Sequence, residues 1–206
     1  MKLAVFDFDS TLMDGETLEF LAREIGIERK VKEITEQAMC GELDFFESLT
    51  HRVYLLKGLE IEKVNRICAD LPIVSGAKSA VQYLKDKGYK VICFSGGFKI
   101  ATEPFVSKLG LDAAFSNTLH VKNGVLTGLV GGEMMFNNSK GEMLKRLQKI
   151  MGLTPADTLV VGDGANDLSM FEYADTRIAF CAKPILKQKA NLIVDIKDLG
   201  IISTLV

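Results

Sequence analysis

Val5-Phe6-Asp7-Phe8-Asp9-Ser10-Thr11 decides how the rest of this 206-residue chain is understood. It completes an apolar run, Leu3 to Phe6, of the kind found in a strand buried on both faces. Side chains two apart along a strand point the same way, so Asp7 and Asp9 are expected to face together from its end. Two like charges that close are costly to bury unless a cation or a shared proton compensates. A divalent metal is the simplest compensation, and a carboxylate held beside one can attack phosphorus. Taken alone, the pair fits an Asp-rich turn after a strand equally well.

Four further segments have the character of the first strand. Lys90 to Phe94 runs into Ser95-Gly96-Gly97, and Thr158 to Val161 runs into Gly162-Asp163-Gly164. Arg177 to Phe180 and Leu192 to Val194 are shorter. Helical periodicity lies between them, over 76–87, 99–109, 140–151 and 167–173. Strands alternating with helices predict an α/β fold, a doubly wound parallel sheet. Such sheets bind ligands outside the carboxyl ends of their strands. Asp7, Asp9, Ser95, Gly96 and Asp163 each follow a strand directly, so they are expected to converge on one edge.

One connection is far too long for a simple crossover. A dozen or more residues suffice for one, yet about 78 separate Thr11 from Lys90. Within that span, 16–25, 29–39, 45–56 and 60–69 each carry apolar residues at helical spacing. Residues 14–74 are therefore expected to form a helical cap over the strand ends, with 1–13 and 75–206 as the catalytic core. Lids of this kind exclude water and contact substrate. Asn123-Gly124, set between alternating residues in 118–127, predicts a small two-stranded flap with His120 on its surface.

Composition narrows the functional classes. With 48% hydrophobic and 25% charged residues, the chain suits one globular domain with an insert. A net charge of −2 and dispersed lysines and arginines give no sign of a nucleic-acid surface. Arg29, Lys30 and Lys32 are expected on a solvated helix face. Cys40, Cys68, Cys93 and Cys181 form no CxxC pair, which argues against zinc and against a disulfide framework. Cys93 and Cys181 sit in apolar runs and are expected in the core. Two histidines are too few for a His-based metal site. Met1 leads directly into a strand and no apolar run has membrane-spanning length, so a cytoplasmic location and no membrane partner are expected.

Asp7 to Thr11, Ser95-Gly96-Gly97, Lys140 and Gly162-Asp163-Gly164-Ala165-Asn166-Asp167 together resemble the four motifs of the haloacid dehalogenase superfamily of phosphotransferases, in order and at suitable spacing. The resemblance implies Asp7 as nucleophile, forming an aspartyl-phosphate that divides one difficult hydrolysis into two easier steps. It implies Asp9 as the general acid that protonates the leaving alkoxide and then activates water. Mg²⁺ would be held by Asp7, the backbone carbonyl of Asp9 and Asp163, hard oxygen ligands for a hard cation. Ser95 and the Gly96 amide would bind phosphoryl oxygens, with Lys140 neutralising their charge. Asp167 would support Lys140 or metal-bound water, and Asn166 would reach substrate; both could instead cap the following helix.

Within that superfamily the chain is similar to phosphoserine phosphatases. Glu16 lies nine residues after Asp7, and Met39-Cys40-Gly41-Glu42-Leu43-Asp44-Phe45-Phe46-Glu47-Ser48-Leu49-Thr50-His51-Arg52-Val53 matches a cap pattern MxGxxxFxxSLxxRV. The similarity implies hydrolysis of O-phospho-L-serine to serine and phosphate, the last step of serine biosynthesis. Glu16 would accept from the substrate ammonium, and Arg52 would present a planar fork to its carboxylate. Met39 and Phe45 would wall the site and exclude water, although both could equally be cap core. Because the first motif begins at residue 7, no preceding amino-acid-sensing module is expected. Two other readings remain at this point: a related phosphatase or phosphotransferase for another small phosphate ester, and a non-catalytic receiver-type switch. The switch gives no role to a cap or to Asp9.

Overall fold

The computed structural model describes all residues, 1–206. Its centre is β1 (Lys2–Asp7), buried along its whole length after Lys2. Alternate residues of β1 serve opposite faces of the sheet. Ala4 and Phe6 join one apolar cluster while Leu3 and Val5 join another. The same alternation recurs in the neighbouring strands β2 (Tyr89–Phe98) and β5 (Thr158–Gly162), where Val91, Cys93, Leu159 and Val161 face one side and Ile92, Phe94 and Val160 the other. A strand buried twice over needs an unbroken apolar run, which is why these segments do not alternate with polar residues.

Seven strands form one sheet in the order β4-β3-β2-β1-β5-β6-β7. Here β3 is Ala113–Lys122, β4 Val125–Gly131, β6 Thr176–Phe180 and β7 Leu192–Val194. All pairings are parallel except β3 with β4. Helices α5 (Ala77–Asp86) and α6 (Lys99–Leu109) cover one face, and α7 (Ser139–Met151) and α8 (Leu168–Phe171) the other. The chain passes from β1 to β2 on one side and reaches β5 on the other. Their carboxyl ends therefore splay around a crevice at this switch in direction.

Four helices lie between β1 and β2: α1 (Thr17–Arg23), α2 (Glu28–Met39), α3 (Phe45–Tyr54) and α4 (Ile61–Ala69). The chain leaves and rejoins the sheet side by side, with Asp14 N donating to Pro72 O at 2.9 Å and Val74 N to Leu12 O at 3.0 Å. The inserted helices are tied to the hairpin as well. Gly58 N donates to Leu126 O and Leu126 N to Leu59 O, both at 2.8 Å, and Ile61 N to Gly124 O at 2.9 Å. Arg29, Lys30 and Lys32 are exposed, as expected of a solvated face.

The expected flap is present: 118–122 pairs antiparallel with β4 across the Asn123-Gly124 turn, and His120 is exposed on it, but its first strand reaches further back, because β3 begins at Ala113 and pairs in parallel with β2 through Asn117. Its first residues, Ala113-Ala114-Phe115-Ser116-Asn117, include no β-branched residue. Three sequence expectations are corrected. The second strand continues through Ser95-Gly96-Gly97 to Phe98, with its register broken between Phe94 and Phe98, where Ser95 and Gly96 were expected to follow the strand's end. The segment expected to be helical from Asp167 opens instead with a 3₁₀ turn, Ala165–Asp167, before α8. Cys181 is exposed at φ 46°, just past the end of β6, and is not a core residue; Cys93 is fully buried. No helix is long and apolar enough to cross a membrane.

Candidate active site

Three strand ends deliver most of the polar side chains. β1 ends on Asp7, β2 carries Ser95 and Gly96, and β5 ends one residue before Asp163. Lys140 arrives from α7, where it is the second residue. A Cβ on the next residue, Gly141, would stand 2.5 Å from the Ser169 carbonyl oxygen, so only glycine lets this end of α7 press against α8. Lys140 is 3% exposed, and its Nζ lies 2.5 Å from Asp7 Oδ1 and 2.6 Å from Asp167 Oδ1. A cation at a helix N-terminus opposes the helix dipole, and two buried carboxylates outweigh that. Asp167 Oδ2 in turn accepts from the amides of Asp163 (3.0 Å) and Gly164 (3.2 Å). Asp167 thus ties the Asp163 loop to Lys140, and Lys140 to Asp7.

This cluster carries more negative than positive charge. Burial, then the Asp7 and Asp167 charges, push the Asp163 carboxyl well above its ordinary range. Burial and the Asp7 charge push Asp167 up to about 6. For Lys140 burial works against the charge, but the Asp167 and Asp7 carboxylates more than reverse it and hold the ammonium firmly protonated. Oxygens of Asp7, Asp163 and Asp167 lie within 4.8 Å of one another, all buried, with one lysine to balance them. A divalent cation fits this deficit, and carboxylate oxygens are the donors that Mg²⁺ takes.

Beside the cluster lies a pocket between the sheet edge and the inserted helices. Asp7, Asp9, Asp163, Gly96 and Asn166 line its sheet side, and Glu16, Met39, Phe45 and Arg52 its helical side. Asp44 caps α3 by accepting from Glu47 N at 3.0 Å, which aims the first turn of α3 at the sheet. There the Phe45 ring lies so close to Gly96 that a Cβ would stand 2.4 Å from its Cζ. Met39 covers Gly164 in the same way, with Sδ 2.8 Å from where a Cβ would be. Arg52, only 3% exposed, donates from Nε to Ser48 O (3.2 Å) and from Nη1 to Thr35 Oγ1 (3.0 Å). Burial and the nearby Asp9 charge push Glu16 up to about 8. Ser95 is fully buried, its Oγ accepting from Gly97 N at 2.9 Å. Asn166 donates weakly to Asp7 Oδ2 at 3.5 Å, and its own Oδ1 is buried without a partner.

A family profile described as haloacid dehalogenase-like hydrolase matches residues 1–175. A protein of Wolinella succinogenes called phosphoserine phosphatase is 60% identical over 199 residues, covering 97% of each chain. The chain belongs to the phosphoserine phosphatase family of haloacid dehalogenase-like hydrolases. Two solved structures share its fold throughout. One, described as a phospho-aspartyl intermediate analogue of phosphoserine phosphatase, superposes with a TM-score of 0.97 at 51% identity, covering 100% of this chain and 98% of the other. The second, a substrate-bound phosphoserine phosphatase complex, gives 0.96 at 50% identity with the same coverage.

In this member of the phosphoserine phosphatase family, nine of the twelve residues singled out from sequence line the one cavity. Ser95, Lys140 and Asp167 stand behind it, buried. Sequence reasoning missed two neighbours. Ser10, at φ 57°, donates from Oγ to Glu16 Oε1 at 2.6 Å. Thr17, the first residue of α1, donates to Asp9 Oδ1 from its backbone amide at 2.7 Å and from Oγ1 at 2.6 Å. The position of Ser10 inside the first motif was a usable signal. For Thr17 nothing local pointed across eight residues to Asp9.

Proposed function

We propose that this chain is a Mg²⁺-dependent phosphatase hydrolysing O-phospho-L-serine to L-serine and phosphate. The observation carrying this is the pairing, across one pocket, of the Asp7–Asp9–Asp163 edge with Glu16 and the buried Arg52. A substrate with phosphate at one end and an ammonium and a carboxylate at the other matches both walls.

Asp7 attacks phosphorus, forming a carboxylate-oxygen-to-phosphorus bond as the ester P–O bond breaks. The departing serine oxygen takes the proton held by Asp9, whose carboxyl is raised by burial, with the Thr17 donors opposing. Water then attacks the aspartyl-phosphate and yields its proton to Asp9, releasing phosphate and restoring Asp7. The Gly96 amide and Ser95 orient the phosphoryl oxygens. Lys140, already in contact with Asp7, offsets the negative charge that gathers there. Asp7, the Asp9 carbonyl and Asp163 would hold Mg²⁺, which would supply further positive charge to the phosphoryl group. Residues 14–74 act as the cap, with Met39 and Phe45 excluding water from the reacting atoms.

The test is phosphate release from a panel of small phosphate esters with and without Mg²⁺. Phosphoserine is expected to be the preferred substrate, with turnover lost in EDTA and restored by Mg²⁺. Preference for an ester lacking the amino-acid head group, or full activity after exhaustive chelation, refutes the reading.

A further inference from the structure

Asp9 has two oxygens with different surroundings. Oδ1 is occupied by both donors of Thr17, the backbone amide and Oγ1. Oδ2 faces the strand end that carries Ser95 and Gly96, and lies 3.0 Å from where a Cβ on Gly97 would stand. Thr17 is 2% exposed and opens α1, the first inserted helix, directly after Glu16. An oxygen that accepts two hydrogen bonds at 2.6–2.7 Å has no room for a proton of its own.

We infer that Thr17 is a positioning residue that aims Asp9 Oδ2, the proton-bearing oxygen, at the leaving oxygen of the substrate. This rests on the phosphatase reading above and adds to it a residue and a direction. As the ester P–O bond breaks, the proton passes from Asp9 Oδ2 to the alkoxide oxygen, leaving Asp9 as a carboxylate with Oδ1 still held. Because Thr17 belongs to α1, the arrangement also couples the general acid to the inserted helices: with α1 seated, Asp9 is aimed, and Glu16 next in the chain faces the same cavity.

The experiment uses Thr17→Val, which keeps the shape and the amide donor but removes the hydroxyl, together with Thr17→Ser and Thr17→Ala. Each is assayed on phosphoserine, whose alkoxide needs a proton to leave, and on acetyl phosphate, whose acetate does not. A misaimed acid should lower kcat/KM for phosphoserine about 10- to 100-fold in Thr17→Val and Thr17→Ala. The fall should be less than about threefold for acetyl phosphate, and KM for phosphoserine should stay within about twofold, since a group acting only in the transition state leaves ground-state binding alone. Thr17→Ser should recover most of the loss. Equal losses on both esters in the variants that fold, no loss on phosphoserine, or a Thr17→Ser protein as slow as Thr17→Val overturns the inference. Wild type that releases phosphate from neither ester overturns the phosphatase reading itself.

Discussion

Gly96→Ala tests how the inserted helices meet the sheet. Gly96 is not in the left-handed region, so alanine meets no backbone strain there, and its amide stays available for a phosphoryl oxygen. The obstacle is Phe45. An alanine Cβ would stand 2.4 Å from Cζ and 3.3 Å from both Cε atoms, where ordinary contact begins near 3.4 Å. The ring tip must withdraw by about 1 Å, and misplacement on that scale costs up to about 10²-fold in rate. Overpacking elsewhere in a core typically costs about 1–3 kcal/mol, but here the ring can move into the cavity, which favours the low end. The expected result is a folded protein with kcat/KM for phosphoserine reduced about 10- to 100-fold. A double-mutant cycle with Phe45→Leu separates this from a defect in the strand itself. Once the ring is shortened, adding Gly96→Ala should cost less than about threefold more, because the atoms it would strike are gone. Losses that simply multiply, or a Gly96→Ala protein with normal turnover, refute the picture of Phe45 closing directly on the end of β2.

Three further outcomes follow from the same geometry. Wild type should favour phosphoserine over phosphoethanolamine by about 10²-fold or more in kcat/KM, because a buried Arg52 is left unpaired by a substrate without a carboxylate; Arg52→Ala should largely erase that gap, and a variant that impairs both esters alike removes Arg52 from this role. Asp7→Asn should abolish turnover while circular dichroism and Tm show an intact fold, and near-normal activity in the folded variant would exclude Asp7 as nucleophile. Glu16 makes the metal-free, substrate-free protein pH-sensitive: folding raises its carboxyl from 4.5 to about 8, so the stability it contributes is full below pH 4.5 and is lost as pH rises through about 8. The Tm of Glu16→Gln relative to wild type should therefore climb between pH 5 and pH 9, and a difference that stays flat would contradict the burial of that carboxyl.

The sequence by itself determined the elements whose cause is local. A doubly buried strand announces itself by an unbroken apolar run, and the inserted helices by their 3.6-residue spacing, so Leu3 to Phe6, Lys90 to Phe94, Thr158 to Val161 and the four helices between β1 and β2 were all legible in the sequence. Position after a strand then carried Asp7, Asp9, Ser95, Gly96 and Asp163 to one edge by topology alone. Resemblance supplied Glu16, Arg52, Met39 and Phe45, which no periodicity distinguishes from ordinary surface or core. Only the tertiary structure decided which of these groups touch. Lys140 and Asp7 are 133 residues apart in the chain, yet their contact sets the charge of the site. The Thr17 hydroxyl became a partner of Asp9 because the chain folds back at α1. The start of β3 was illegible for a related reason: Ala113-Ala114-Phe115 is held extended by pairing with β2, and strand propensity of so weak a kind is overridden by its neighbours. Cys181 was misjudged because an apolar run does not reveal where it ends; one residue past Phe180 the chain turns to positive φ, and the side chain leaves the core.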